Sequence, residues 1–160
     1  MAKPKRTWRE KLLDSKDLPR VEKVPARLAA RWGKGTFVIP APIEVDAMMR
    51  AVPRGKLTTV NEIRAALAQR HRATIACPMT TGIFAVIAAR AADEQERVGK
   101  ARVTPYWRTL KQGGELNPKF PGGVEVLRTR LEAEGHEVEA RGKRWFVVDH
   151  GKRLARLARP

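Results

Sequence analysis

The sequence predicts a mainly α fold with a small β component, built around a helix-turn-helix and carried between basic N- and C-terminal extensions. Three observations predict it. Capped segments with apolar residues at helical spacing fill the middle of the chain, a short break separates two of them, and positive charge gathers at the ends. The chain has 160 residues, and 42% of them are hydrophobic, enough for one domain with a real core. Lys and Arg number 33 against 17 Asp and Glu, a net +16, with a pI near 11.0. An excess of that size points to a polyanionic partner, nucleic acid first.

The charge is unevenly placed. Residues 1–35 hold eleven Lys/Arg and four Asp/Glu, and residues 141–160 hold seven Lys/Arg and one Asp. Those ends are net +7 and +6, which leaves +3 for 36–140. The expected organisation is a basic arm (1–35), a DNA-binding domain (36–140), and a hairpin strand with a basic tail (141–160). Arms of one sign track phosphates with strong salt dependence and little sequence preference.

Taking the elements in order, Thr7 and Glu10 are spaced as a capping box for a short helix in "TWREKLLDS". The remainder of the arm reads as partly ordered. "GTFVIPAP" is a short apolar run ended by prolines, and "IEVDAMMRAVP" reads as a helix with Pro42 in its first turn and Pro53 beyond its end. Met48 and Met49 on it are expected as core filler. In "LTTVNEIRAALAQRH", Thr59 and Glu62 form a second capping-box pattern ahead of Ile63, Ala66 and Leu67. After "RATIAC", Pro78 opens another helix, on which Ile83, Phe84, Ile87 and Ala88 are expected to form the buried face. Two short helices with a tight connection suggest a helix-turn-helix.

"VTPYWRTL" follows a charged linker and reads as a short strand or turn. Next come a Gly/Pro-rich loop, 113–123, and a helix in "GVEVLRTRLEAEGHEV" with Val124, Leu127 and Leu131 on one face and Gly135 as its stop. "HEVEARGKRWFVVD" alternates as a hairpin, and "GKRLARLARP" is expected as a short helix.

Several chemistries find no support in the pattern. Cys77 is the single cysteine, so no intramolecular disulfide forms, and a reducing compartment is expected. No Cys/His spacing suits a metal, and no phosphate loop or nucleophile elbow occurs, so no cofactor is called for. No apolar run is long enough to span a membrane. The expectation is a cytoplasmic, nucleoid-associated monomer.

From about Val52 to His136 the order of motifs resembles the DNA-binding domain of the alkylguanine-DNA alkyltransferases, and more closely their alkyltransferase-like relatives. "VPRGKLTTVNEIRAAL" resembles the family's entry into the first helix of its helix-turn-helix, and "CPMTTGIFAVIAARA" its recognition helix. "TPYWRTL" falls where the family has its active-site loop, and "GELNPKFPGGVEVLRTRLEAEG" resembles the stretch that closes the pocket. The resemblance implies a winged-helix-like helix-turn-helix domain of the alkyltransferase C-terminal type, with double-stranded DNA, alkylated in particular, as the partner and other repair proteins downstream. Thr80, Thr81 and Gly82 would face the minor groove, with Arg90 and Arg108 as further DNA-binding residues. A base pocket would be lined by Tyr106, Trp107, Phe120, Pro121 and Gly122.

The departures from the family pattern bear on function. Tyr106 and Trp107 stand where the family has its acceptor cysteine and the histidine that activates it, while Glu134 keeps the carboxylate. A phenol with a pKa of about 10 is a poor substitute nucleophile, so no catalytic residue is assigned and the protein is expected not to be an enzyme. Gly82 replaces the arginine that fills the gap left by a flipped base, and Val60 replaces the tyrosine that helps rotate the phosphate. The alternatives are an architectural or regulatory DNA binder without damage specificity, and a repair enzyme working through Cys77 or an unrecognised site.

Overall fold

Thr7 begins the first helix as its spacing predicts. In the computed structural model, which describes residues 5–157, the Thr7 hydroxyl accepts the Glu10 amide at 3.0 Å and the Glu10 carboxylate accepts the Thr7 amide at 3.4 Å. This caps α1 (Trp8–Leu13), whose Leu12 is buried. The amides of Trp8 and Arg9 donate to the Glu94 carboxylate on α5 (Pro78–Arg97), at 3.1 and 3.2 Å. A helix start leaves amides unpaired, and an acid there satisfies them and favours the dipole. The basic arm is thereby held against the domain at its helix.

The arm also supplies a strand. β1 (Arg20–Lys23) runs antiparallel to β2 (Thr36–Ile39), which pairs in parallel with β4 (Ile75–Ala76). All four β1 residues are exposed, so this edge is covered with charge rather than with core. Between them, α2 (Ala26–Trp32) sets Trp32 edge-on to Phe37, with ring centres 5.3 Å apart.

α3 (Pro42–Arg50) starts at a proline, and the Glu44 carboxylate accepts the Ala41 amide at 2.9 Å. Its Val45, Met48 and Met49 are buried, the methionines as core filler. β3 (Thr58–Thr59) leads into α4 (Val60–Arg70), with the Thr59 hydroxyl accepting the Glu62 amide at 3.1 Å. Ile63, Ala66 and Leu67 face the core as their spacing predicts.

α5 departs from expectation. Its buried face is Thr81, Ala85, Ala88, Ala89, Ala91 and Ala92, while Ile83 is 53% exposed. The first half of the helix is apolar on several sides, so periodicity alone does not choose a face. Packing chooses the alanines because α1, α3 and α4 all press on this helix, and small side chains let the axes approach.

"VTPYWRTL" contains both elements its composition suggested: a 3-10 turn at Tyr106–Arg108 and then β5 (Thr109–Leu110), parallel to β3. The Gly/Pro-rich loop ends at Gly122, whose φ of +79° favours glycine; a Cβ there would also meet the Val126 side chain at 2.5 Å. α6 (Gly123–Ala133) buries Leu127 and Leu131 and stops before Gly135, at φ +89°. β6 (Val138–Arg141) and β7 (Arg144–Val147) form the expected hairpin.

The tail is a correction to the expected helix. A 3-10 turn covers His150–Arg153, and then the chain extends, with Leu57 donating to the Arg153 carbonyl at 2.9 Å and Ala155 donating to Leu57 at 2.8 Å. The free edge beside Leu57 offers backbone groups, and pairing with them outcompetes a short basic helix. Among the described residues, no helix is long and apolar enough to cross a membrane.

Candidate nucleic-acid interface

Two regions collect the residues that the sequence singles out. One is the loop at Tyr106–Arg108 with the α6 face behind it. The other is the outward side of the first half of α5.

In the first region the 3-10 turn directs Tyr106 inward, leaving it 1% exposed. Its ring meets Trp107 and Phe120 edge-on, with centres 5.4 and 6.1 Å apart. The Arg130 guanidinium on α6 lies 4.3 Å from the Trp107 ring centre and 5.6 Å from that of Tyr106. Arg130 is anchored by an ion pair with Glu96 of α5. Cation–π contact, edge-on aromatics and an ion pair therefore close over the phenol from three elements. Burial pushes the Tyr106 hydroxyl up from its ordinary value, and Arg130 offsets this only in part.

Behind the aromatics, Glu134 is saturated with donors. Arg108 Nε and Nη2 donate to its two oxygens, each at 2.8 Å, and Trp107 Nε1 donates at 2.8 Å as well. The remaining Arg108 amino group donates to the Val52 carbonyl at 2.8 Å. Burial alone would raise the Glu134 carboxyl, but the hydrogen bonds from Arg108 and Trp107 outweigh it and hold the group below the ordinary carboxylate range. Nearby His136 is buried, which lowers its pKa.

The chemistry of this arrangement follows from its donors. An indole N–H donates and never accepts, so Trp107 has no lone pair with which to take a proton from a neighbour. Glu134 is locked as an acceptor. The network orders the loop and leaves Tyr106 protonated, without a base beside it.

This geometry corrects two expectations. The base pocket expected around Tyr106, Trp107, Phe120, Pro121 and Gly122 is filled by its own side chains: Tyr106, Phe120 and Pro121 are buried, Trp107 is half-buried, and Gly122 is exposed at the helix start. Arg108, expected as a DNA contact, is turned inward instead: its side chain is largely buried, and three of its five N–H groups donate to Glu134 and Val52.

The second region is a groove of about 610 Å³ between α1, the start of α4, the outer face of α5, and the loop at 111–119. Met79 and Ile83 form one wall and are 70% and 53% exposed. Gly82 lies between them, with nothing within 4 Å of where its Cβ would be. Val60, Val86 and Ile87 continue the apolar lining, and Lys11, Lys111 and Lys119 provide its charge, with no carboxylate among the lining residues.

The expected recognition residues separate here. Gly82 faces the groove. Thr80 is half-buried, with a hydroxyl that has no partner, and Thr81 is fully buried, donating to the Cys77 carbonyl at 2.7 Å. Thr81 thus belongs to the core, which corrects its assignment to the groove. Arg90 lies 5.3 Å from the Trp8 ring centre and donates to the Lys119 carbonyl at 3.2 Å, so it shapes the groove wall. Cys77 is buried and makes no side-chain cap bond. Sequence reasoning missed Met79 and Ile83 as surface residues. Their signal was the apolar surplus on α5, more than one buried face can use.

No family model matches the chain, and no curated protein does. Solved structures do. The crystal structure of S. pombe ATL in complex with DNA aligns with a TM-score of 0.51 at 17% identity, over 72% of this chain and 94% of that one. That of S. pombe Atl1 in complex with damaged DNA containing O6-carboxymethylguanine aligns with a TM-score of 0.49 at 16% identity, over the same shares. At such identity the likeness concerns the backbone alone. The chain has the alkyltransferase-like fold, mainly α with a small β component.

Proposed function

We propose that this protein is a non-enzymatic binder of double-stranded DNA that works as the alkyltransferase-like proteins do, by recognising alkylated guanine and flagging it for other repair factors. The observation that carries the binding is the outer face of α5, an apolar groove with Lys11, Lys111 and Lys119 and no carboxylate in its lining. Lysines on that rim attract phosphates, and the small Gly82 lets the helix approach the minor groove closely. The basic segments at 1–35 and 141–160 add salt-dependent affinity. The S. pombe ATL protein, which shares the fold, was crystallised in complex with DNA, in keeping with this reading.

The absence of catalysis rests on Tyr106 and Trp107. A buried, protonated phenol beside an indole has neither a nucleophilic anion nor a base to generate one. We further propose a monomer acting in the cytoplasm at the nucleoid. Incubation with duplex containing O6-alkylguanine tests the chemistry: the lesion remains intact and no adduct forms on the protein, whereas transfer to any residue overturns this part.

A second reading has its own observation. With Tyr106 1% exposed under Arg130, the aromatic site is closed, which favours a duplex binder without damage specificity. Titrating duplexes with and without O6-alkylguanine separates the two. Tighter binding of the lesion supports damage recognition, equal affinity supports the second reading, and no binding of either duplex removes both.

A further inference from the structure

Seven large apolar side chains are exposed among the described residues, and five of them lie singly on separate parts of the chain. The other two, Met79 and Ile83, are four residues apart on α5 and therefore share one face of its first turns. Both line the groove that Lys11, Lys111 and Lys119 also line, and Gly82 beside them leaves space open. Paired exposed side chains of this size are costly to keep in water unless a surface covers them.

The charge around them selects the covering surface. Lys111 already has the Glu115 carboxylate at 3.7 Å, but an apolar protein partner would leave Lys11 and Lys119 without an anion, and an acidic one would bring carboxylates against the aliphatic wall. The minor groove of duplex DNA fits both features at once. Its phosphates lie along the rims, its walls are apolar sugar edges, and a base step can open to admit an aliphatic side chain. Proteins that enter the minor groove with Met or Ile unstack such a step and kink the duplex toward the major groove.

We propose that Met79 and Ile83 are wedge residues that enter the minor groove of duplex DNA and unstack one base step, with Lys11, Lys111 and Lys119 holding the flanking phosphates. The inference rests on the DNA-binding reading above and deepens it, since it names how the helix deforms its ligand. Gly82 supplies room rather than contact, so the step widens around the aliphatic pair. Recognition by a wedge favours sequences that unstack easily, pyrimidine–purine steps above all, and weakened stacking beside a modified base.

The test uses the full chain with a short duplex that carries 2-aminopurine at a central pyrimidine–purine step and a fluorophore pair at its ends. Binding raises 2-aminopurine emission and brings the ends together. Met79→Ala and Ile83→Ala each lower affinity by about tenfold, the worth of burying one such side chain. The double variant binds weakly and without the emission change, and its melting curve matches the parent because both side chains are exposed. Wild-type binding with a straight, fully stacked duplex overturns the wedge and leaves the DNA-binding reading standing. So does a double variant that bends and unstacks as the wild type does. No binding at low salt overturns both. Self-association that the double variant abolishes, with stacking unchanged on the DNA, assigns the face to a second copy and overturns the wedge.

Discussion

The loop around Tyr106 and the outer face of α5 stand in opposite states. In the loop the charged groups are paired within the chain: Glu134 accepts from Arg108 and Trp107, Arg130 pairs with Glu96, and Tyr106 packs edge-on against aromatic rings. On α5, two large apolar side chains and a bare glycine face solvent beside three lysines. A region satisfied within the chain contributes stability and little recognition, while an unsatisfied one costs stability unless something binds it. The contrast favours binding on α5 and gives the aromatic loop to the core.

The largest effect that breaks this contrast should come from Tyr106→Ala. Removing a buried aromatic costs about 4 kcal/mol of unfolding free energy, read from urea denaturation. DNA affinity of the folded fraction should stay within a few-fold, since Tyr106 lies beneath the surface. A large loss of affinity with unchanged stability would show that Tyr106 reaches the DNA after all. Glu134→Gln should come next. It leaves a mostly buried Arg108 guanidinium without its anion, a loss of about 3 kcal/mol.

Changing Lys11, Lys111 and Lys119 together to Gln works on the other region. Folding stability should move by no more than about 0.5 kcal/mol, as for surface substitutions in general. The slope of log affinity against log salt should fall by about 3, close to 0.9 for each phosphate no longer neutralised. An unchanged slope would put the phosphate contacts on the basic ends instead.

Acid sharpens the contrast further. Glu134 is held below its ordinary value, so its contribution to stability is complete above about pH 4 and is lost as pH falls through its lowered folded value. His136 is also lowered, by burial, so its contribution is complete above about pH 6.5 and is lost as acid forces a charge onto the buried ring. Both signs are the same: stability declines toward acid, first through His136 and then through Glu134. Following unfolding by urea across this range, His136→Asn should flatten the first part of the decline and leave the second. Thr7→Ala acts only on the arm, with a loss of about 1 kcal/mol from the α1 cap. It should loosen Trp8 at the groove without disturbing the loop.

Much of the fold was legible because its signals are local. The Thr7 and Thr59 caps, Pro42 and Pro78 at helix starts, and Gly135 after α6 each act within one turn of chain. The Trp107–Glu134 pairing was only half legible, because the two residues were singled out separately and the bond between them spans 27 positions of the chain. The final segment misled: a basic stretch with helical spacing found backbone partners at Leu57, which lies far away in sequence.

By itself, the sequence determined the chain of helices, the hairpin, the basic ends, and the adjacent aromatic pair Tyr106 and Trp107. Those follow from side-chain identity and from neighbours a few residues apart. Tertiary structure alone decided which face of α5 is buried and whether the aromatic site is open. Alanines went inward because three helices converge on them, which left Met79 and Ile83 outside. Tyr106 was covered because Arg130 and Glu96, brought together from two helices, close over it. Periodicity counts apolar residues around one helix, and it has no term for how closely other helices approach.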